Sequence, residues 1–114
     1  MTITDFLNKL DSVPNDVAFS ETMQVVEDNY NFTETAFKNG TTYNEASQNS
    51  GSCKLFAFAK LNELSNEATL ACFGDYYRKD VLENPTGSDH GNIRNFMKFG
   101  WKGIHFEGIA LTKK

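Results

Sequence analysis

Residues 53–62 read CKLFAFAKLN, and residues 39–52 before them read NGTTYNEASQNSGS. In the first stretch Cys53, Leu55, Phe56, Ala57, Phe58, Ala59 and Leu61 leave little polar face. A helix that is apolar nearly all round is one that other elements cover. Ser52 is a good N-cap, because its hydroxyl can accept a backbone N–H of the first turn. The reading therefore places a central, buried helix over 53–62. The stretch before it holds one charge, Glu45, and almost nothing apolar. Its composition suits a flexible linker, but a structureless loop of that length is unusual inside a compact domain. An ordered loop leading into a buried helix is the better expectation.

The rest of the chain arranges itself around that helix. Ile3, Phe6, Leu7 and Leu10 repeat at helical spacing, with Thr2 as cap and Pro14 beyond the end. Ser20 can cap a second helix whose stripe is Phe19, Met23, Val26 and Tyr30, broken by 29–31. FTETAF, 32–37, alternates weakly and reads as an edge strand or turn. Ser65 caps a fourth helix with inner stripe Leu70, Phe73, Tyr77 and Val81, which Pro85 stops near Asn84. After a loop at 85–91, Asp89 or Ser88 caps a fifth helix carrying Ile93, Phe96 and Met97 and ending near Gly100. GIHFE, 103–107, alternates as a short strand, and the final ALTKK is expected to fray. The expected fold is mainly α, α+β at most. It is a compact single domain over 1–114 with about five helices. At most a small two-stranded sheet pairs 32–37 with 103–107.

Composition narrows the function classes. The 114 residues suit one domain, and 10 Phe, 4 Tyr and 1 Trp supply much of its core. Net charge is −4 with acids and bases interspersed. No basic block is available to neutralise a phosphate backbone, which argues against nucleic acid as partner. No apolar run approaches the length of a membrane span. MTITDFLNKLD lacks the features of a secretory signal. The two cysteines make no disulfide framework, so a reduced, cytoplasmic state is expected. Cys53, Cys72, His90 and His105 show no zinc spacing; no metal or cofactor is expected, and a monomer is the default.

FTETAFKNG, NEASQNSGSCKLFAFA, TLACFGDYYRKDVL, DHGNIRNFM and GWKGIHFEG follow one another in order between about Phe19 and Gly108. Together they resemble the HopJ family, named for a type III effector of plant-pathogenic bacteria. Two positions depart from the pattern: Glu34 stands where proline is expected, and Ser47 where glycine is expected. The resemblance implies a bacterial protein, cytoplasmic or exported through a type III system. The family has no established catalytic activity, so it assigns no site residues. It implies action by binding an unidentified protein or a small polar ligand.

The residues themselves offer three candidate sites. Cys53, read as the first residue of a helix, would feel the partial positive charge that stabilises thiolate. His90 would be its base, with Asn44, Asn49 or Asp89 orienting the imidazole. The plainer reading is a buried thiol. The second candidate is the polar loop, where Asn44, Glu45, Ser47, Gln48, Asn49 and Ser52 lie ahead of a helix start and can take an anion or small polar ligand. The plainer reading is a loop whose side chains bond its own backbone. The third is Tyr76, Tyr77 and Arg78, with Asp89, His90 and Arg94. There Arg78 can clamp a carboxylate or phosphate, or merely pair with Asp75 or Glu83 on the surface.

Overall fold

The computed structural model describes all residues from Met1 to Lys114. Helix α1, Ile3–Ser12, begins as expected: the Thr2 hydroxyl accepts the Asp5 N–H at 3.1 Å. It buries Phe6 and Leu10 and gives way to a 3-10 turn at Pro14–Asp16. Helix α2, Phe19–Asn29, begins after Ala18 rather than at Ser20. The Glu21 carboxylate fixes that start by accepting the Ala18 N–H at 3.1 Å, and Lys9 holds the same carboxylate at 2.7 and 2.9 Å. The buried face of α2 is Thr22, Val25 and Val26, with Phe19 and Met23 half-buried. Thr22 is buried because its hydroxyl donates to the Cys72 carbonyl at 2.8 Å.

Helix α3, Ser50–Leu61, is the hub that the sequence suggests, but it starts at Ser50 after Asn49, so Ser52 lies within its first turn and does not cap it. Phe56 is fully buried and its ring meets those of Phe37, Phe73, Phe96 and Trp101 at centroid distances of 6.0, 5.5, 5.1 and 6.4 Å. Phe58, on another face of the helix, meets Phe6 at 5.7 Å and Tyr30 at 6.0 Å. Such ring contacts add to the stabilisation from the area each ring buries. They tie segments from both ends of the chain to one helix.

The sheet content exceeds the expectation. Strand β1, Tyr30–Phe32, pairs antiparallel with β5, Leu111–Lys113. A second sheet is built from Phe37–Asn39 (β2), Thr42–Asn44 (β3) and Ile104–Phe106 (β4), in the order β3-β2-β4, all antiparallel. The expected pairing of 32–37 with 103–107 holds only from Phe37, which stands opposite Phe106. Phe32 belongs to the other sheet, opposite Leu111. The tail is therefore pinned rather than frayed, and Ala110 and Leu111 are buried. Each strand is three residues long, too short for alternation to be read in the sequence.

The fourth helix also differs. Ser65 caps it, accepting the Ala68 N–H at 3.1 Å, but α4 runs only Asn66–Ala71. Gly74 then turns with φ +64, where a Cβ would stand 2.7 Å from the Phe19 nitrogen. Beyond it, Tyr76–Val81 winds as a π-helical turn. Helix α5, Gly91–Phe99, starts after His90 in left-handed conformation, not at Asp89 or Ser88, and ends at Gly100 with φ +62. A 3-10 turn over Gly100–Gly103 leads into β4.

Candidate functional site

The polar stretch is neither slack nor a simple cap. Residues 37–44 form the β2–β3 hairpin, and a turn closed by the Gln48 N–H on the Glu45 carbonyl, 2.9 Å, leads to α3. Asparagine side chains then cross-link the hairpin to two helices. Asn39 donates to the Asn92 backbone carbonyl at 2.8 Å and to the Asn92 side-chain oxygen at 3.0 Å. Asn44 and Asn92 exchange amide bonds at 3.2 and 3.1 Å, and Asn49 donates to Asn44 Oδ1 at 2.7 Å. Asn39, Asn44 and Asn92 are buried. In that low-dielectric setting such bonds are strong and their loss is expensive. The quartet fixes the start of α3, at Asn49, beside the start of α5, at Asn92.

Those two helix starts differ from the others in backbone conformation; α2 also lacks a side-chain N-cap, but its Ala18 is extended and donates its N–H to Glu21. In α1 and α4 a hydroxyl occupies the first turn. In α3 and α5 the preceding residues, Asn49 (φ 50, ψ 46) and His90 (φ 51, ψ 51), are left-handed and their side chains cap nothing. A left-handed residue followed by a helical one turns successive N–H groups toward one point, a concavity suited to anions. The N–H groups of Gly51, Ser52, Asn92 and Ile93 meet no protein acceptor. Both starts line one cleft of about 240 Å³, walled by Phe19, Phe73, Tyr76 and His90. Gly91 leaves its mouth open: a Cβ there would meet nothing within 4 Å.

The π-helical turn completes the wall. It presents Tyr76, whose ring lies 5.3 Å from that of His90, and Asp80, whose carboxylate is 3.0 Å from His90 Nε2. Asp89 is farther from the imidazole, at 3.8 Å, and is held instead by Arg94 at 2.7 Å. The hydrogen bond from Arg94 keeps the Asp89 carboxyl below its ordinary pKa. Neither Asn44 nor Asn49 bonds to His90; the partner is Asp80, which residue spacing does not single out. A wider turn that puts Tyr76 and Asp80 on one ring is not visible in residue pattern.

The structure does not bring Cys53 and His90 into contact. Cys53 is the fourth residue of α3, not the first, and its N–H is already bonded to the Asn49 carbonyl at 3.0 Å. Its thiol is buried, meets the Thr35 carbonyl at 3.5 Å, and does not line the cleft. Burial pushes its pKa up, the reverse of thiolate activation. Cys72 is pushed up to about 12 by burial. Ser52 and Asn49 line the cleft, Asn44 lies behind it in the quartet, and Glu45 is exposed in the turn.

Tyr77 and Arg78 lie elsewhere, in a cleft of about 500 Å³ between α1 and α4. The Arg78 guanidinium donates to the carbonyls of Val17, Pro14 and Ala71 at 2.6, 3.1 and 3.4 Å, and Asp75 is 3.6 Å away. Those bonds tie the chain between α1 and α2 to the π-helical turn and use the donors a ligand would need. Nowhere do three or more His, Cys, Asp or Glu side chains gather as a metal ion requires. No helix is long and apolar enough to cross a membrane.

Comparison with known proteins bears on the whole chain. The model of a family described as HopJ type III effector protein matches residues 3–111. The fold is similar to a crystal structure described as that of unknown function protein VPA0580. The TM-score is 0.98 and identity 58%, covering 100% of this chain and 95% of that one. No curated protein matches.

Proposed function

The chain belongs to the HopJ family, and from that premise we propose that it works by binding, without turnover, a small ligand bearing a phosphate or carboxylate group in the cleft between the starts of α3 and α5. The observation that carries this reading is the convergence of two uncapped helix starts on one cleft. A hydrogen bond from an N–H to a charged acceptor contributes about 1.5–3 kcal/mol. Each helix dipole adds about 0.3–1 kcal/mol for an anion at its N-terminus. Asp89 is paired with Arg94 and Asp80 is bonded to the His90 ring, and neither lines the cleft, so the N–H groups are what an entering anion meets. The cleft, about 240 Å³, is smaller than a drug-sized pocket. It suits an anionic head with a small planar body against Tyr76 and Phe19. Export through a type III system, which the family description suggests, belongs to the same reading.

Gly91→Asp tests it. The substitution places the protein's own carboxylate at the open mouth, where nothing crowds a Cβ, so the fold is expected to survive. Inorganic phosphate titrated into the wild-type protein should shift the amide resonances of Gly51, Ser52, Asn92 and Ile93 and saturate. In the variant those shifts should vanish. Equal shifts in both proteins, or none in either, would sink the proposal.

A further inference from the structure

We propose that a second cleft, on the far side of the β2–β3 hairpin, is a separate site for a multivalent, phosphate-bearing anion. The cleft is about 380 Å³ and is lined by Lys38, Lys98, Lys102 and His105, with Phe99 as its one hydrophobic residue. The four bases come from four elements: β2, the last turn of α5, the 3-10 turn and β4. Lys38 and His105 stand directly opposite each other across the strand pair, so their side chains share one face. None of the three lysines has an acidic partner, and while other lysines are also unpaired, these three line one cleft. Glu107, the nearby acid just past β4, receives the Tyr43 hydroxyl instead.

In a chain of net charge −4, this concentration of unpaired positive charge gives the cleft a field opposite in sign to the protein as a whole. Concave surfaces of one sign focus potential and raise the local concentration of counter-ions. The bases also sit on a rigid frame. The Gly40 N–H donates to the Gly103 carbonyl at 2.9 Å, which locks the hairpin turn to the turn after α5. The Phe99 ring packs so closely on Gly40 that a Cβ there would stand 2.2 Å from it. A fixed backbone spares the cost of ordering a loop on binding, although the exposed lysine side chains still lose their own freedom. Mutual repulsion between lysines in the empty cleft disfavours the folded state slightly, and a polyanion relieves it. Lysines from three elements can each meet a different oxygen of a multivalent anion, and the ligand is assigned as multivalent for that reason. This site is independent of the one between α3 and α5.

Pyrophosphate is the probe, followed by amide resonances at constant ionic strength. Saturable shifts are expected at Gly40, Thr41, Lys102 and Gly103. In a second series at raised salt, the affinity should fall at least about tenfold as the lysines are screened. In the triple variant Lys38→Gln, Lys98→Gln, Lys102→Gln the shifts should disappear. Its exposed positions leave the fold intact, verified by unchanged resonances at Phe56 and Phe58. Gly91→Asp should leave the shifts untouched, which separates this site from the other. Vesicles carrying phosphoinositide headgroups form a parallel arm. Sedimentation of wild-type protein but not the triple variant would identify the phosphate as a lipid's, and its absence with pyrophosphate shifts retained would identify a soluble ligand. Shifts that never saturate, or that persist in the triple variant, would overturn the proposal.

Discussion

Two clusters hold this protein together, and they are opposite in kind. Around Phe56 the contacts are between aromatic rings; behind the hairpin they are asparagine amides bonded to one another. The aromatic cluster is largely non-directional. Its strength follows mainly the area removed from water, with ring-to-ring geometry a smaller contribution. The asparagine cluster is directional. A shift of about 1 Å in the start of α5 would stretch its bonds beyond hydrogen-bonding range. The difference teaches what each does: the rings decide that α3 is central, and the amides decide how the starts of α3 and α5 face the same cleft.

Removing the centre of the first cluster should have the largest effect. Phe56 is wholly shielded from solvent and touches rings on every side. Phe56→Ala should destabilise the fold by about 3–5 kcal/mol, read as a lowered urea midpoint. Phosphate affinity at the α3–α5 cleft should be nearly unchanged in whatever fraction remains folded. Asn44→Ala strikes the second cluster and should cost less, about 2–3 kcal/mol, because it leaves the side-chain N–H groups of Asn49 and Asn92 without an acceptor. Its binding loss should be out of proportion to its stability loss. If Asn44→Ala bound phosphate as well as Phe56→Ala does, the division of labour between the clusters would be wrong.

The two clusters are unequally legible in the sequence. Helix α3 is legible because an apolar run of that length, bounded by polar turns, must be covered by the rest of the chain. Thr2 and Ser65 are legible as caps because a hydroxyl ahead of a helical stripe has a local mechanism. The starts of α3 and α5 are not, since they use no side-chain cap at all: a left-handed Asn49 or His90 leaves no mark beyond its own identity. Asn39 reads as half of an Asn-Gly turn, and nothing in the residue pattern singles out Asn92. Their partnership spans fifty-three positions, and only tertiary structure supplies it. Tyr76 and Asp80 share His90 through a π-helical turn, whereas the stripe of Phe73, Tyr77 and Val81 reads equally well as ordinary helix. The candidate site is thus readable only in fragments, with Asn49, Ser52 and His90 apparent and the geometry that joins them hidden.

The smallest expected effect concerns the turn between the clusters and is the most discriminating about what the turn is for. Ser47 takes φ 78, the left-handed region that glycine occupies freely and other L-residues do not. It is also where the family resemblance leads one to expect glycine. A side chain held there costs about 1 kcal/mol of strain. Glycine would remove that strain but would gain freedom in the unfolded chain worth about 0.4–1 kcal/mol. The two terms nearly cancel. Ser47 is exposed, so Ser47→Gly should stabilise by no more than about 0.5 kcal/mol, or raise the melting temperature by roughly 2 °C. Asn49, two residues on, is anchored by Asn44 at 2.7 Å and not by the turn's own stiffness. Phosphate affinity should therefore be unchanged by Ser47→Gly. A clear loss of affinity with no loss of stability would mean that the turn, rather than the asparagine quartet, aims the start of α3 into the cleft.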